Sequence, residues 1–484
     1  MKRYIPVLLS IQILVVFILV GCNSIKVQKG VDTPVKKNVL FILVDDLRPE
    51  LSIYGQSQMI TPNIDNLAKS GVTFNRAYCN VPVCGASRAS LLTGKRPTKD
   101  RFLTYHSSIK KEMPGVPTIA KYFKNQGYSS ISNNKIAHLK NDAPGSWDEE
   151  WYPYEKGWRN YITEKNINLE KKGKHGDAFE YPDVDDNTYF DGKTAEKSIS
   201  DLKKFKKFNT PFFLAVGFVK PHLPFNAPKK YWDLYDIGNI KLPDNATFPE
   251  TVPQVANHKW GELRYYNEIP KKGKVPEDLA KKLIHGYYAS VSYIDAQIGK
   301  VIKSLDDLGL RENTVIVLVG DHGWSLSEHG LWAKHSNFEV ALRVPLIISS
   351  SGMAENKQTE SIAELVDLYP TICELSNNPI PSHTDGESLV NVLRKPHKIF
   401  KNTALTRWQK GETLIADNYF YTEWQAKGKV TAKMLFDHTM DPDENRNLAV
   451  EPSYQTKVDS LSVLLNNKIK NYTELELSRK LNKN

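Results

Sequence analysis

The stretch Asn38–Glu50, NVLFILVDDLRPE, opens on an unbroken apolar run, Val39 to Val44, and breaks into two aspartates, Asp45 and Asp46. A half-buried strand alternates apolar with polar residues. A run without alternation fits a strand buried on both faces, as in a parallel sheet covered by helices. The pattern recurs in NTVIVLVGDHG, residues 313–323, which ends in Asp321-His322. It recurs again at Phe212–Phe218, within TPFFLAVGFVKPHLPF, before a proline-bounded loop carrying His222. RVPLIISS, residues 343–350, is a further strand. Between these lie helical signals: TPNIDNLAKSG at 61–71, SRASLLTG at 87–94 with Gly94 as its stop, and YASVSYIDAQIGKVIKSLDDLGL at 288–310. Strands alternating with helices predict an α/β fold with a large, mixed, mostly parallel sheet flanked by helices. Ligands of such sheets bind beyond the carboxyl ends of the strands. Asp45, Asp46, Asp321 and His322 stand at those ends.

The chain has 484 residues, enough for a large core and two domains or subdomains. Its net charge of +10 points to an anionic partner. No long Lys/Arg block and no zinc-finger or aromatic RNA-binding signature is present, which argues against nucleic acid. At the N-terminus, Lys2 and Arg3 precede an apolar run from Ile5 to Val20 that meets Leu19-Val20-Gly21-Cys22. A basic start, an apolar core and small residues before a processing point predict a secretory signal. The ending resembles a bacterial lipobox, with Cys22 as the lipidated first residue of an exported, membrane-anchored lipoprotein; the other reading is a single membrane-anchor helix. No acidic cluster follows Cys22, which favours the periplasmic side over the cell surface. The expected organisation is a signal peptide at 1–22, a polar tether at 23–37, a large α/β domain at 38–376 and a smaller C-terminal α+β subdomain at 377–484. In the last, NTALTRW, ETLIADNYFYTEW and KMLFDHTMDPDENRNLA read as short strands joined by turns, closed by a helix near Tyr454–Leu465. Residues 141–188, rich in Trp, Tyr, Lys and Asp without periodicity, read as a long surface insertion over the site.

Of four cysteines, one is spent on the lipobox, and Cys79, Cys84 and Cys373 remain. An odd number is a poor disulfide framework for an exported protein. Cys84 lies in VCGASRASLLTGKRP, residues 83–97, beside Arg88 and just ahead of a helix. A low-pKa nucleophile and a buried inert thiol are both open readings of that position. Three carboxylates converging beyond one sheet repel unless a cation sits among them. Hard oxygen ligands favour Ca²⁺ or Mg²⁺.

Cys84-Gly85-Ala86-Ser87-Arg88, followed by Leu92-Thr93-Gly94-Lys95-Arg96-Pro97, resembles the signature of the sulfatases. VDDLRPELSIYG, TPNIDNLAKSGVTFNRAYCN, GDHGWSLSEHGLWAKHSNFE, VDLYPT and LFDHTMDPDENRNLA resemble sulfatase segments in sulfatase order, from Asn38 to about Leu465. NNKIAH, AVGFVKPHLPF and GDHGWSLSEHG followed by WAKHSNF look like the branch of iduronate-2-sulfatase and its bacterial polysaccharide-sulfatase relatives. Two residues separate Lys135 from His138, as in that branch, where many sulfatases have one. Ala86 stands where the commoner signature has proline.

The resemblance implies an alkaline-phosphatase-like fold and a cysteine oxidised after translation to formylglycine by a maturation enzyme. The aldehyde hydrate offers two hydroxyls on one carbon. One attacks sulfur to give a sulfo-enzyme intermediate, and the other lets that ester collapse with release of sulfate. By the same resemblance Asp45, Asp46, Asp321, His322 and residue 84 bind one Ca²⁺, and Asp321 also takes the proton of the attacking hydroxyl. Arg88 holds residue 84, Lys135 and Lys334 clamp the sulfate, His138 is the base for the second hydroxyl, and His222 protonates the leaving sugar oxygen. Trp324 and Arg101 match positions near the substrate, with core packing and a surface ion pair as their other readings. The expected substrate is a sulfated oligo- or polysaccharide: a uronate 2-sulfate, or an algal glycan such as ulvan. A phosphonate or phosphodiester hydrolase of the same superfamily, and a glycan-binding lipoprotein with unmodified Cys84, are the alternatives.

Overall fold

The computed structural model describes Met1 and residues 36–155 and 157–481, with side chains to Arg479. The expected signal peptide, the lipidated Cys22 and nearly all of the tether lie outside the described residues. Strand β1 (Asn38–Val44) is buried along its whole length. In chain order there follow α1 (Pro62–Lys69), β2 (Val72–Phe74), α2 (Cys84–Thr93), β3 (Ser129–Asn134), β4 (Glu149–Trp151), α3 (Phe190–Phe208), β5 (Phe212–Phe218), α4 (Gly261–Arg264), α5 (Glu277–Asp307), β6 (Thr314–Gly320), β7 (Leu346–Ser349) and β8 (Lys357–Thr359). The eight strands form one sheet in the order β8-β2-β7-β6-β1-β5-β3-β4. Parallel pairing joins β6, β1, β5, β3 and β4, while β7 runs against both β6 and β2.

β1 lies between β5 and β6, with Val44 level with Phe218 and Gly320. The carboxyl ends of the three apolar runs therefore meet at one height. The residues just beyond them, Asp45-Asp46, the loop to His222, and Asp321-His322, converge by register alone. Helices α3 and α5 pack on each other, and Thr194, Ser198 and Leu202 of α3 are buried.

Helix α2 starts at Cys84, is buried at all ten positions, and stops at Gly94, whose φ of 63° lets its N–H reach Leu91 O and Ser90 O. Gly85 is required by crowding: a Cβ there would lie 2.3 Å from Tyr105 O.

Segment 141–188 departs from the expectation of a surface insertion. It holds β4, which adds to the sheet edge beside β3. Three residues are too short for a periodicity to register. The C-terminal region forms an antiparallel sheet of β9 (Thr403–Trp408), β10 (Gly411–Ala416), β11 (Tyr419–Ala426) and β12 (Lys429–Asp437). Helix α6 (Gln455–Leu481) covers it, with Val458, Leu461 and Leu465 on Leu414, Tyr421 and Leu435. This helix runs sixteen residues past the end read from the sequence. Beyond Leu465 only the partly buried Ile469 still packs on this cluster, and past it the anchors are polar or aromatic: the Tyr472 ring 4.3 Å from the Arg96 guanidinium, Glu476 at 2.7 Å from Arg101, and Arg479 at 2.6 Å from Asp385. An apolar stripe ends where such contacts take over.

Candidate active site

Asp45 and Asp46 are fully buried at the end of β1, and Asp46 has φ 60°. This left-handed turn separates the two carboxylates. Asp46 N donates to Asp321 Oδ1 at 3.0 Å, and His322 N donates to the same oxygen at 3.0 Å. His322 Nδ1 lies 3.0 Å from Gly323 O, a contact it makes as donor. That leaves Nε2 as the lone-pair nitrogen, 3.1 Å from Cys84 Sγ. One ligand atom from each of Asp45, Cys84, Asp321 and His322 falls within 4.8 Å of the others. Asp46 joins through Cys84, with Sγ 3.9 Å from its Oδ1.

Arg88 projects from α2 into this group with no solvent exposure. Its Nε donates to Asp321 Oδ2 at 2.8 Å, and Nη1 donates to the carbonyls of Lys135 and Ile136. Nη2 lies 3.1 Å from Asp45 Oδ1, a charge contact off the hydrogen-bond axis, so neither atom has a hydrogen-bond partner. Arg88 thus meets residue 84 through the acids around it. Ser87 Oγ donates to Asp321 O at 2.5 Å and pins α2 to the end of β6.

Lys135 Nζ bonds Asp45 Oδ2, and Lys334 Nζ bonds Asp46 Oδ1 and Oδ2 at 3.0 and 3.1 Å. Burial raises the Asp45 carboxyl, but Lys135 and Arg88 more than offset it and hold it well below the usual range. Asp46 is raised, because burial outweighs Lys334 and the Asp45 charge adds to it. Burial, with Asp45 next, pushes the Cys84 thiol up to about 11. An unmodified Cys84 is therefore protonated at neutral pH and a poor nucleophile. Burial and then Lys135 push His138 down to about 2, so its ring is neutral, and its buried Nδ1 has no hydrogen-bond partner.

His222 Nδ1 lies 2.6 Å from Leu223 O, and its Nε2 faces the acids, 3.9 Å from Asp46 Oδ2. Trp158, from segment 141–188, stands edge-on to this imidazole with centroids 6.2 Å apart. Trp324 is buried under Lys334, whose Nζ lies 4.9 Å from the ring centroid. Arg101 is engaged elsewhere, by Glu476 and by the carbonyl of Arg96.

Glu262 escapes a reading of the sequence. It lies on the one-turn helix α4, within a long irregular segment. Its Oε1 is 3.0 Å from His222 Nε2 and its Oε2 is 2.9 Å from Lys334 Nζ. Burial raises this carboxyl, but Lys334 and His222 prevail and hold it well below the usual range. Nothing in GELRYYNE marks this glutamate from its neighbours.

A buried cysteine at a helix N-terminus, buried acids at two aligned strand ends and two lysines beside them make a centre suited to an anionic ester. The chain matches the sulfatase family over residues 37–378 and the C-terminal region of N-sulphoglucosamine sulphohydrolase over residues 327–471. It belongs to the sulfatase family and is a sulfuric ester hydrolase. It is 37% identical to iduronate 2-sulfatase of Mus musculus over 384 residues, 71% of this chain and 69% of that protein. It is 28% identical to an ulvan-active sulfatase of Formosa agariphila, over 95% of this chain and 86% of that one. The solved structure of BT4656 in complex with its substrate D-glucosamine-2-N,6-O-disulfate superposes with a TM-score of 0.75 at 21% identity, covering 91% of this chain and 98% of that chain. The fold is that of these enzymes, as the sequence predicts.

Proposed function

We propose that the protein hydrolyses O-sulfate esters of a sulfated carbohydrate, with residue 84 as formylglycine and one Ca²⁺ held by Asp45, Asp46, Asp321, His322 and residue 84. The observation that carries this reading is the convergence of three carboxylates, His322 Nε2 and Cys84 in one buried pocket with Lys135 and Lys334 beside them. The donor set fits a hard dication: it is oxygen-rich, and Asp45 Oδ1 is buried without a hydrogen bond. When bound, the dication and the aldehyde hydrate supply positive charge and a geminal hydroxyl nucleophile to the sulfur.

The chain's own groups divide the rest. Lys135 pairs with Asp45 and Lys334 with Asp46. Once the acids have another counter-charge, both ammonium groups are free for the sulfate oxygens. Arg88 keeps Asp45 and Asp321 aligned. His138, whose Nδ1 is buried without a hydrogen-bond partner, is the base assigned to the second hydroxyl of residue 84. His222 Nε2, with Nδ1 tied to the backbone, donates to the leaving sugar oxygen. Trp158 gives that sugar an apolar wall. The similarity to iduronate 2-sulfatase and to the ulvan-active enzyme supports a uronate 2-sulfate or an ulvan-type sulfate as substrate. Export as a lipoprotein through Cys22, toward the periplasmic side, rests on the leader sequence.

The test is the mass of the tryptic peptide Ala77–Arg88 from protein made in its native host, paired with sulfate release. An aldehyde at residue 84 and loss of turnover in Cys84→Ala are expected. A free thiol in protein that releases sulfate overturns the proposal.

A further inference from the structure

Glu262 is 23% exposed at its side chain and touches two groups with different jobs. One oxygen lies 3.0 Å from His222 Nε2, the atom assigned to proton donation. The other lies 2.9 Å from Lys334 Nζ, assigned to the sulfate, and Oε1 is also 3.2 Å from that ammonium. Both partners are fixed from behind. His222 Nδ1 is held by Leu223 O, and Lys334 rests on the ring of Trp324. A carboxylate spanning two such groups sets their separation. Glu262 is itself placed by the turn before α4, where Trp260 has φ 35° and its N–H donates to His258 Nδ1 at 2.9 Å.

We propose that Glu262 is a positioning residue that couples His222 to Lys334, so that proton donor and sulfate clamp meet the scissile ester in fixed register. The proposal rests on the functional reading above and adds a residue to it. Nε2 of an imidazole with a tied Nδ1 still swings with the ring. A carboxylate at 3.0 Å restricts that swing, and its second oxygen keeps Lys334 within reach of the same point. The sulfate ester then enters between them and takes over both contacts. General acid catalysis contributes about 10²–10⁴-fold where the donor is aligned. Loss of alignment therefore costs kcat. The negative charge beside Lys334 does not help the enzyme hold an anion, so its loss does not raise KM.

The experiment is a double-mutant cycle in sulfate release from a sugar sulfate that the enzyme hydrolyses, with Glu262→Gln, His222→Ala and the pair. Glu262→Gln is expected to lower kcat by about 10-fold or more, with KM unchanged or lower. Glu262→Asp is expected to recover part of kcat. In the His222→Ala background, Glu262→Gln is expected to cost clearly less than in the wild type, since only its hold on Lys334 is left to lose. Independent losses in the double variant, or a raised KM with unchanged kcat, overturn the proposal. Wild-type kcat in His222→Ala overturns the assignment of the donor, and the coupling with it. A second readout needs no turnover: in the metal-free protein the ¹⁵N resonance of His222 Nε2 is expected to move in Glu262→Gln. An unmoved resonance overturns the contact.

Discussion

Arg88→Ala removes a fully buried guanidinium that faces Asp321 at 2.8 Å and Asp45 at 3.1 Å and donates to two carbonyls. Breaking a buried ion pair by deleting one partner costs about 3–5 kcal/mol, because a charge stays buried without compensation. Two carboxylates lose a partner here, but Lys135 stays on Asp45, which keeps the loss within that range. For roughly 450 folded residues, at about 2.1 cal/mol/K each, the unfolding entropy is about 0.95 kcal/mol/K, so the midpoint falls by about 3–5 °C if the transition is cooperative. The assay is thermal unfolding by circular dichroism in a chelator, repeated with added Ca²⁺. Arg88→Ala is expected to gain more from Ca²⁺ than the wild type does, since the dication supplies the missing positive charge. Arg88→Lys, which keeps one charge but not the fork, is expected to fall between. A chelated Arg88→Ala protein that melts within about 1 °C of the wild type refutes the view that Arg88 balances these acids.

Other parts of the molecule make further predictions. Gly217→Ala would set a Cβ 2.3 Å from the carbonyl of Lys135; kcat/KM for sulfate release is expected to fall about 10-fold or more as that backbone is displaced, and an unchanged value would show that Lys135 does not depend on this strand. Chelation of the wild type is expected to lower kcat/KM for the sulfate ester and added Ca²⁺ to restore it, because the acids lose the counter-charge that frees Lys135 and Lys334; an unaltered kcat/KM would contradict this. Asp186 accepts from Lys300 at 2.6 Å and Lys230 at 2.7 Å; burial raises it, but these lysines pull its carboxyl down to about 2 from 3.8. Its ionised form therefore stabilises the fold above about pH 4, and that contribution is lost as pH falls toward about 2. Asp186→Asn should accordingly be destabilising in denaturant titrations at pH 7 and nearly neutral near pH 2; an equal penalty at both contradicts the sign. Trp158→Ala is expected to raise KM for a sugar sulfate while leaving the thermal midpoint unchanged, and a shifted midpoint with unchanged KM would make Trp158 a packing residue.

The strands β1, β5 and β6 are legible because burial on both faces demands an unbroken apolar run, and such a run ends visibly when it meets Asp45, Asp321 or the His222 loop. Their alignment follows from parallel pairing, which brings the acids at their ends together. Lys135, His138 and Lys334 carry no such mark. A lysine or histidine in a loop reads the same whether it is solvated or catalytic, and only the surrounding motif separates them. Trp158 and β4 lie in a segment whose folding depends on contacts with β3 and His222, partners distant in sequence. Glu262 is the extreme case: it sits in one helical turn between Ile240 and Val275, where neither periodicity nor composition singles out a residue, and its role comes wholly from two side chains that the fold delivers to it.

The most direct measurement is sulfate release by the matured protein from two substrates side by side, a disaccharide ending in 2-sulfated iduronate and ulvan oligosaccharides bearing rhamnose 3-sulfate, each also with Cys84→Ala. Release from at least one of them, abolished in Cys84→Ala, is the predicted result. No release from either, or equal release by the variant, would contradict a sulfatase centre built on residue 84.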